Sequence, residues 1–127
     1  MKLKDIIDGT YTIKNGLVNV NGNVNLYNKN LTKIPFNFGV VTGYFNCLRN
    51  QLTSLQGSPQ EVNNYFNCSH NQLTTLQGSP QKVNIFNCSY NQLTTLQGCP
   101  QKVNYFWCYN NQLTTLQGCP QKVNYFW

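Results

Sequence analysis

Apolar positions recur along this chain at a fixed spacing. From Val83 to Leu96 they fall at Val83, Phe86, Cys88, Leu93 and Leu96; apart from Ile85 and Tyr90, the residues between them are Asn, Gln, Ser or Thr. The stretch from Phe45 to Pro59 returns nearly unchanged from Phe66 to Pro80, from Phe86 to Pro100 and from Phe106 to Pro120, at spacings of 20 or 21 residues. A period this short marks a solenoid, in which each repeat forms one coil and the coils stack. One coil alone buries too little apolar surface to offset the entropy of ordering its backbone. Stability must therefore come from the interfaces between neighbouring coils.

Within a coil, the alternation from Ile85 to Ser89 predicts a short parallel strand with Phe86 and Cys88 facing inward. Asn91 ends that strand. Asn50, Asn71, Asn91 and Asn111 hold this position in the four repeats and are expected to form a buried ladder, bonding the turn and the next coil. The stretch Thr94 to Lys102 holds Gly98 and Pro100 and is too short and broken for a helix, so extended or turn structure is expected on the convex side. Upstream, Val24, Leu26, Leu31 and Ile34 lie 21 residues before Phe45, Cys47, Leu52 and Leu55, with Lys29 at the ladder position. This is a degenerate first coil. Asn15-Gly16 and Asn21-Gly22 each sit between alternating apolar residues, and Asn-Gly is a strong hairpin signal. They predict a small meander over residues 11–13, 17–20 and 23–26 that caps the first coil, with a short helix or frayed tail over residues 2–7. The expected organisation is a cap and degenerate repeat over residues 1–40, then four repeats and a partial fifth over residues 41–127.

Composition narrows the class. Of the 127 residues, 9% are charged and 13% aromatic, a balance that argues against disorder. No run of 18 apolar residues is present, so no membrane span is expected, and the start of the chain lacks the pattern of a secretory signal. Cys47, Cys68, Cys88 and Cys108 share one inward repeat position, where a free thiol packs as a small hydrophobe. Reduced core thiols imply a reducing compartment, the cytoplasm. Cys99 and Cys119 form a second column, close enough for either a thiol pair or a disulfide.

The pattern Val-x-x-Phe-x-Cys-x-x-Asn-x-Leu-x-x-Leu resembles the leucine-rich repeat, with Val, Phe and Cys in place of leucines. The full form, F-x-C-x-x-N-x-L-T-x-L-x-G-x-P-x-x-V, resembles the short repeats of many tailed-bacteriophage and some bacterial proteins. The lead-in from Gly16 to Leu26, followed by Leu31-Thr-Lys-Ile34-Pro35, extends the likeness over residues 11–127. The resemblance implies a leucine-rich repeat solenoid: β-rich, with short parallel strands on a concave sheet, little helix and an N-terminal hairpin cap. It implies a phage protein acting on a host or virion protein, in the host cytoplasm.

Candidate functional residues come from the columns that vary. Core positions hardly change between repeats, whereas the outward positions carry Tyr44, Tyr65, Ile85, Tyr105 and Tyr125, then Trp107 and Trp127, then Leu48, Ser69, Ser89 and Tyr109, and finally Arg49, His70 and Tyr90. Tyr, Trp and Arg dominate binding hot spots. The predicted function is non-catalytic protein recognition through Tyr44, Arg49, Tyr65, His70, Ile85, Tyr90, Tyr105, Trp107 and Tyr109 on the concave face. The plainer reading is that these columns only stabilise the sheet by cross-strand contact, as in a purely structural segment of a larger protein. Net charge is +6, and the column Lys82, Lys102 and Lys122 offers a third reading, a nucleic-acid groove with bases stacked on aromatics. That column lies at the corner of the coil rather than among the aromatics, and three lysines are a small footprint. Catalysis is not expected: the chain has three acids (Asp5, Asp8 and Glu61), one histidine and no Ser-His-Asp order. No metal or cofactor is expected, since no CxxC accompanies His70. At the C-terminal end, Tyr125, Phe126 and Trp127 form an uncovered strand and core, which predicts self-association as a homodimer.

Overall fold

The computed structural model describes residues 1–127. A single helical turn, α1 (Leu3–Ile6), leads into eight strands: β1 (Ile7–Lys14), β2 (Leu17–Asn25), β3 (Phe38–Val41), β4 (Phe45–Asn46), β5 (Glu61–Asn67), β6 (Lys82–Asn87), β7 (Lys102–Trp107) and β8 (Lys122–Phe126). They form one sheet in the order β1-β2-β3-β5-β6-β7-β8, with β4 between β2 and β5. Only β1 and β2 are antiparallel; every later pairing is parallel. The result is a β-solenoid of about five turns with almost no helix.

Repeat register becomes strand register. Phe45, Phe66, Phe86, Phe106 and Phe126 pair in sequence along the sheet, and their rings stack at 5.2 to 5.5 Å. Leu52, Leu55, Leu73, Leu76, Leu93 and Leu96 complete the core from the opposite wall, all fully buried. The interval between Val62 and Phe66 is one residue longer than between Val83 and Phe86, and the pairing of β5 with β6 shifts there. The extra residue is taken up at the exposed Asn63 and Asn64, so the core columns stay aligned.

The Asn ladder forms, and it reaches backwards. Asn91 Nδ2 donates to the carbonyls of Cys88 and of Cys68 in the preceding coil, while its Oδ1 accepts from the Leu73 amide. Asn71 does the same with Cys68, Cys47 and Leu52. Asn50 serves the degenerate coil, accepting from the Lys29 and Leu31 amides. The bonds to neighbours therefore run to the previous coil and not to the next. On the far side, Gly98 sits at φ +90°, and a Cβ there would come within 2.7 Å of Gln77 N. Only glycine lets the coils close at that corner.

The expected meander is corrected to one hairpin. Asn15-Gly16 makes the turn between β1 and β2, but β2 runs without a break through Asn21-Gly22. Gly22 pairs with Gly9 across the ladder, and a Cβ on either would strike the opposite backbone. The two glycines thus allow close strand approach instead of a turn. β2 stays extended because β1 occupies one edge and β3 with β4 the other.

Strand ends also differ from expectation. β6 starts at Lys82 and stops at Asn87, where Asn87 Oδ1 accepts from the Ser89 amide in an Asx turn. Ser69 and Ser89, placed outward by simple alternation, are consequently buried.

Candidate functional site

The outer face of the sheet is built by two recurring local devices. At the strand end, Asn25, Asn46, Asn67 and Asn87 each accept a hydrogen bond from the amide two residues on, an Asx turn. Three residues after these asparagines the backbone enters the left-handed region at Asn28, Arg49, His70 and Tyr90, and it does so again at Asn110, three residues after Trp107, with φ between +54° and +59°. Asn adopts that conformation readily, whereas Arg and Tyr are uncommon there.

On this frame the candidate residues fall into two sets. The strand set comprises Tyr65, Ile85, Tyr105, Trp107 and Tyr125, with Tyr44 just before β4 and Trp127 just after β8. Tyr44 stacks on Tyr65 at 4.8 Å and Tyr105 on Tyr125 at 4.8 Å, with Ile85 in register between the pairs. Burial pushes the Tyr65 phenol up, reinforced by neighbouring Tyr44. Trp107 and Trp127 meet edge to face at 5.8 Å. The turn set comprises Arg49, His70, Tyr90 and Tyr109, all exposed. His70 stacks on Tyr90 at 4.2 Å, and Tyr90 meets Tyr109 edge to face at 5.6 Å. Tyr105 and Trp107 share β7, but Tyr109 lies beyond its end. Phe126 stacks on Phe106 at 5.3 Å and is bare on its other side.

Trp107 breaks the pattern of its column. Where the earlier coils use Asn to close the Asx turn, Trp107 has no side-chain acceptor for the Tyr109 amide. Asn67 and Asn87 also border this surface, beside Tyr65, Ile85 and Trp107, and were not among the residues singled out from the sequence. Their regular recurrence marks them as structural, and only the switch to Trp in the next coil signals that the column faces a surface.

Lys82, Lys102 and Lys122 stand in register at the strand starts. Lys82 meets Glu61 at 3.5 Å across an exposed surface, a pair that contributes little to stability. Cys47, Cys68, Cys88, Cys99 and Cys108 are buried free thiols and Cys119 is an exposed one. Cys99 Sγ donates to the Gly118 carbonyl at 2.9 Å. No cluster of three or more His, Cys, Asp or Glu is present, and no helix is long and apolar enough to cross a membrane.

Compared with family models, characterised proteins and solved structures, the chain finds no match.

Proposed function

We propose that this solenoid is a leucine-rich repeat of the short phage and bacterial type, and that its outer face recognises a protein partner. One observation carries the reading: at two outward positions the chain gives up local stability to present an aromatic ring. Trp107 forfeits the Asx turn that Asn makes in four earlier coils. Tyr90 takes a left-handed conformation that Asn28 and Asn110 adopt at lower cost. A column selected only for sheet stability would keep Asn at both. Strain held at an exposed aromatic is a recognised mark of a functional surface.

The ring geometry favours protein over nucleic acid. Tyr44 with Tyr65, His70 with Tyr90 and Tyr105 with Tyr125 each spend one ring face on the other at 4.2 to 4.8 Å, so the columns offer no continuous run of open faces of the kind successive bases need. Free buried thiols fit a reducing compartment, and the phage resemblance makes a host or virion protein the natural partner. A non-catalytic role fits a chain with three acids and one histidine. Affinity capture from nuclease-treated bacterial lysate, run with the parent chain and with Tyr90→Asn and Trp107→Asn, tests the reading. A protein retained by the parent and lost from both variants supports it; equal retention by all three sinks it.

A further inference from the structure

The tyrosine column is interrupted at one coil. Ile85 is in register with Tyr65 on one side and Tyr105 on the other, while the outer faces of that pair are already stacked on Tyr44 and Tyr125. Neighbouring strands lie about 4.8 Å apart, so Tyr65 and Tyr105 stand about two spacings apart with a shorter aliphatic chain between them. Elsewhere in the column one spacing separates two stacked rings. The interval above Ile85 is therefore the room of one ring. Over Ile85 opens a notch of about 240 Å³ lined by Tyr65, Phe66, Asn67, Ile85, Asn87 and Trp107, so its second aromatic wall is Trp107 of the next coil and not Tyr105.

The notch has a defined chemistry. Its floor is aliphatic and its walls are aromatic. Asn67 and Asn87 turn their Oδ1 atoms to the amides of Ser69 and Ser89, which leaves their Nδ2 groups as donors without a protein acceptor. The strand starts, three residues before this column, carry Lys82 and Lys102, and no Asp or Glu follows Glu61 in the chain. Lys82 is next to Glu61, but Lys102 and Lys122 have no acidic partner. Lys82 shares β6 with Ile85, and Lys102 shares β7 with Trp107.

We infer that the notch over Ile85 receives a single aromatic side chain of the tyrosine kind, carried on an acidic segment of a partner protein. The inference rests on the recognition-face reading and adds the chemistry of the partner. An incoming ring lies over Ile85, where the neighbouring coils carry tyrosine, and packs between Tyr65 and Trp107. Its phenol oxygen accepts from the free asparagine amides, and carboxylates beside it meet the uncompensated lysines. One isolated slot suits one anchoring residue; it does not suit the successive bases of a nucleic-acid strand.

The test is an NMR titration of the intact chain, read at the Trp107 indole and the Tyr65 ring. The probe is a capped pentapeptide with tyrosine flanked on each side by two glutamates. Controls carry alanine at the centre or lysine at the flanks, and a fourth ligand is an oligothymidylate of eight nucleotides. The acidic tyrosine peptide is expected to shift both signals and to bind at least tenfold more tightly than either control peptide or the oligonucleotide. Ile85→Tyr fills the notch with the ring its neighbours already carry and should abolish the response; Ile85→Ala, which leaves the notch open, should retain it. No shift in the parent, an equal response to the alanine peptide, stronger binding of the oligothymidylate, or full binding by Ile85→Tyr would each overturn the proposal. Tyr90 lies outside the notch, so the lysate comparison with Tyr90→Asn is independent of these results and the notch can fail while the recognition face stands.

Discussion

The side-chain amide of Asn91 donates to the Cys68 carbonyl of the preceding coil at 3.1 Å, and through that contact each coil is tied to the one before it. The same side chain bonds the Cys88 carbonyl and accepts from the Leu73 amide. Replacement by alanine leaves these buried backbone groups without partners. Asn91→Ala should destabilise the fold by roughly 1–3 kcal/mol in urea unfolding. The exposed neighbour Gln92 should tolerate alanine within about 0.5 kcal/mol. Equal effects would mean that the ladder does not couple the coils.

The thiols give a second prediction. Burial pushes Cys99 up to about 12 and Cys108 up to about 11 from an ordinary value of 9.0, and raises Cys68 and Cys88 well above it. A raised thiol pKa means that the unfolded chain loses its protons first as pH rises. Stability is thus intact below about pH 9 and falls as pH climbs toward the folded values. Thermal unfolding between pH 7 and pH 10.5 should show that fall, with a shallower slope for Cys99→Ala. In the native state at neutral pH a thiol reagent should label Cys119 quickly and the other five only on unfolding. Rapid labelling of all six would contradict the packing.

Much of this architecture is readable in the sequence because the repeat places equivalent residues in one column. The Phe stack, the Leu wall and the Asn ladder all lie at invariant positions. Two features were not readable for physical reasons. Asn21-Gly22 carries a hairpin signal, but the chain there is held straight by partners on both sides, and Gly22 serves close contact with Gly9. Strict alternation set Ser69 and Ser89 on the surface, whereas the strands end at Asn67 and Asn87 and the turn that follows buries both serines. The aromatic columns were legible as candidates. The left-handed backbone under Tyr90, which makes that ring costly to present, is visible only in the coordinates.

The central claim is that the outer aromatics serve binding and not the fold, and Trp107→Asn examines it most directly. Asn at this position restores the Asx turn of the earlier coils, so stability should equal or exceed that of the parent, while the protein retained from nuclease-treated lysate should bind more weakly by more than about 1 kcal/mol. The decisive measurement is the unfolding midpoint and partner affinity of Trp107→Asn beside the parent chain. An unchanged or higher midpoint with lost affinity is the predicted result; a lower midpoint with affinity intact would contradict the account and make Trp107 a structural residue.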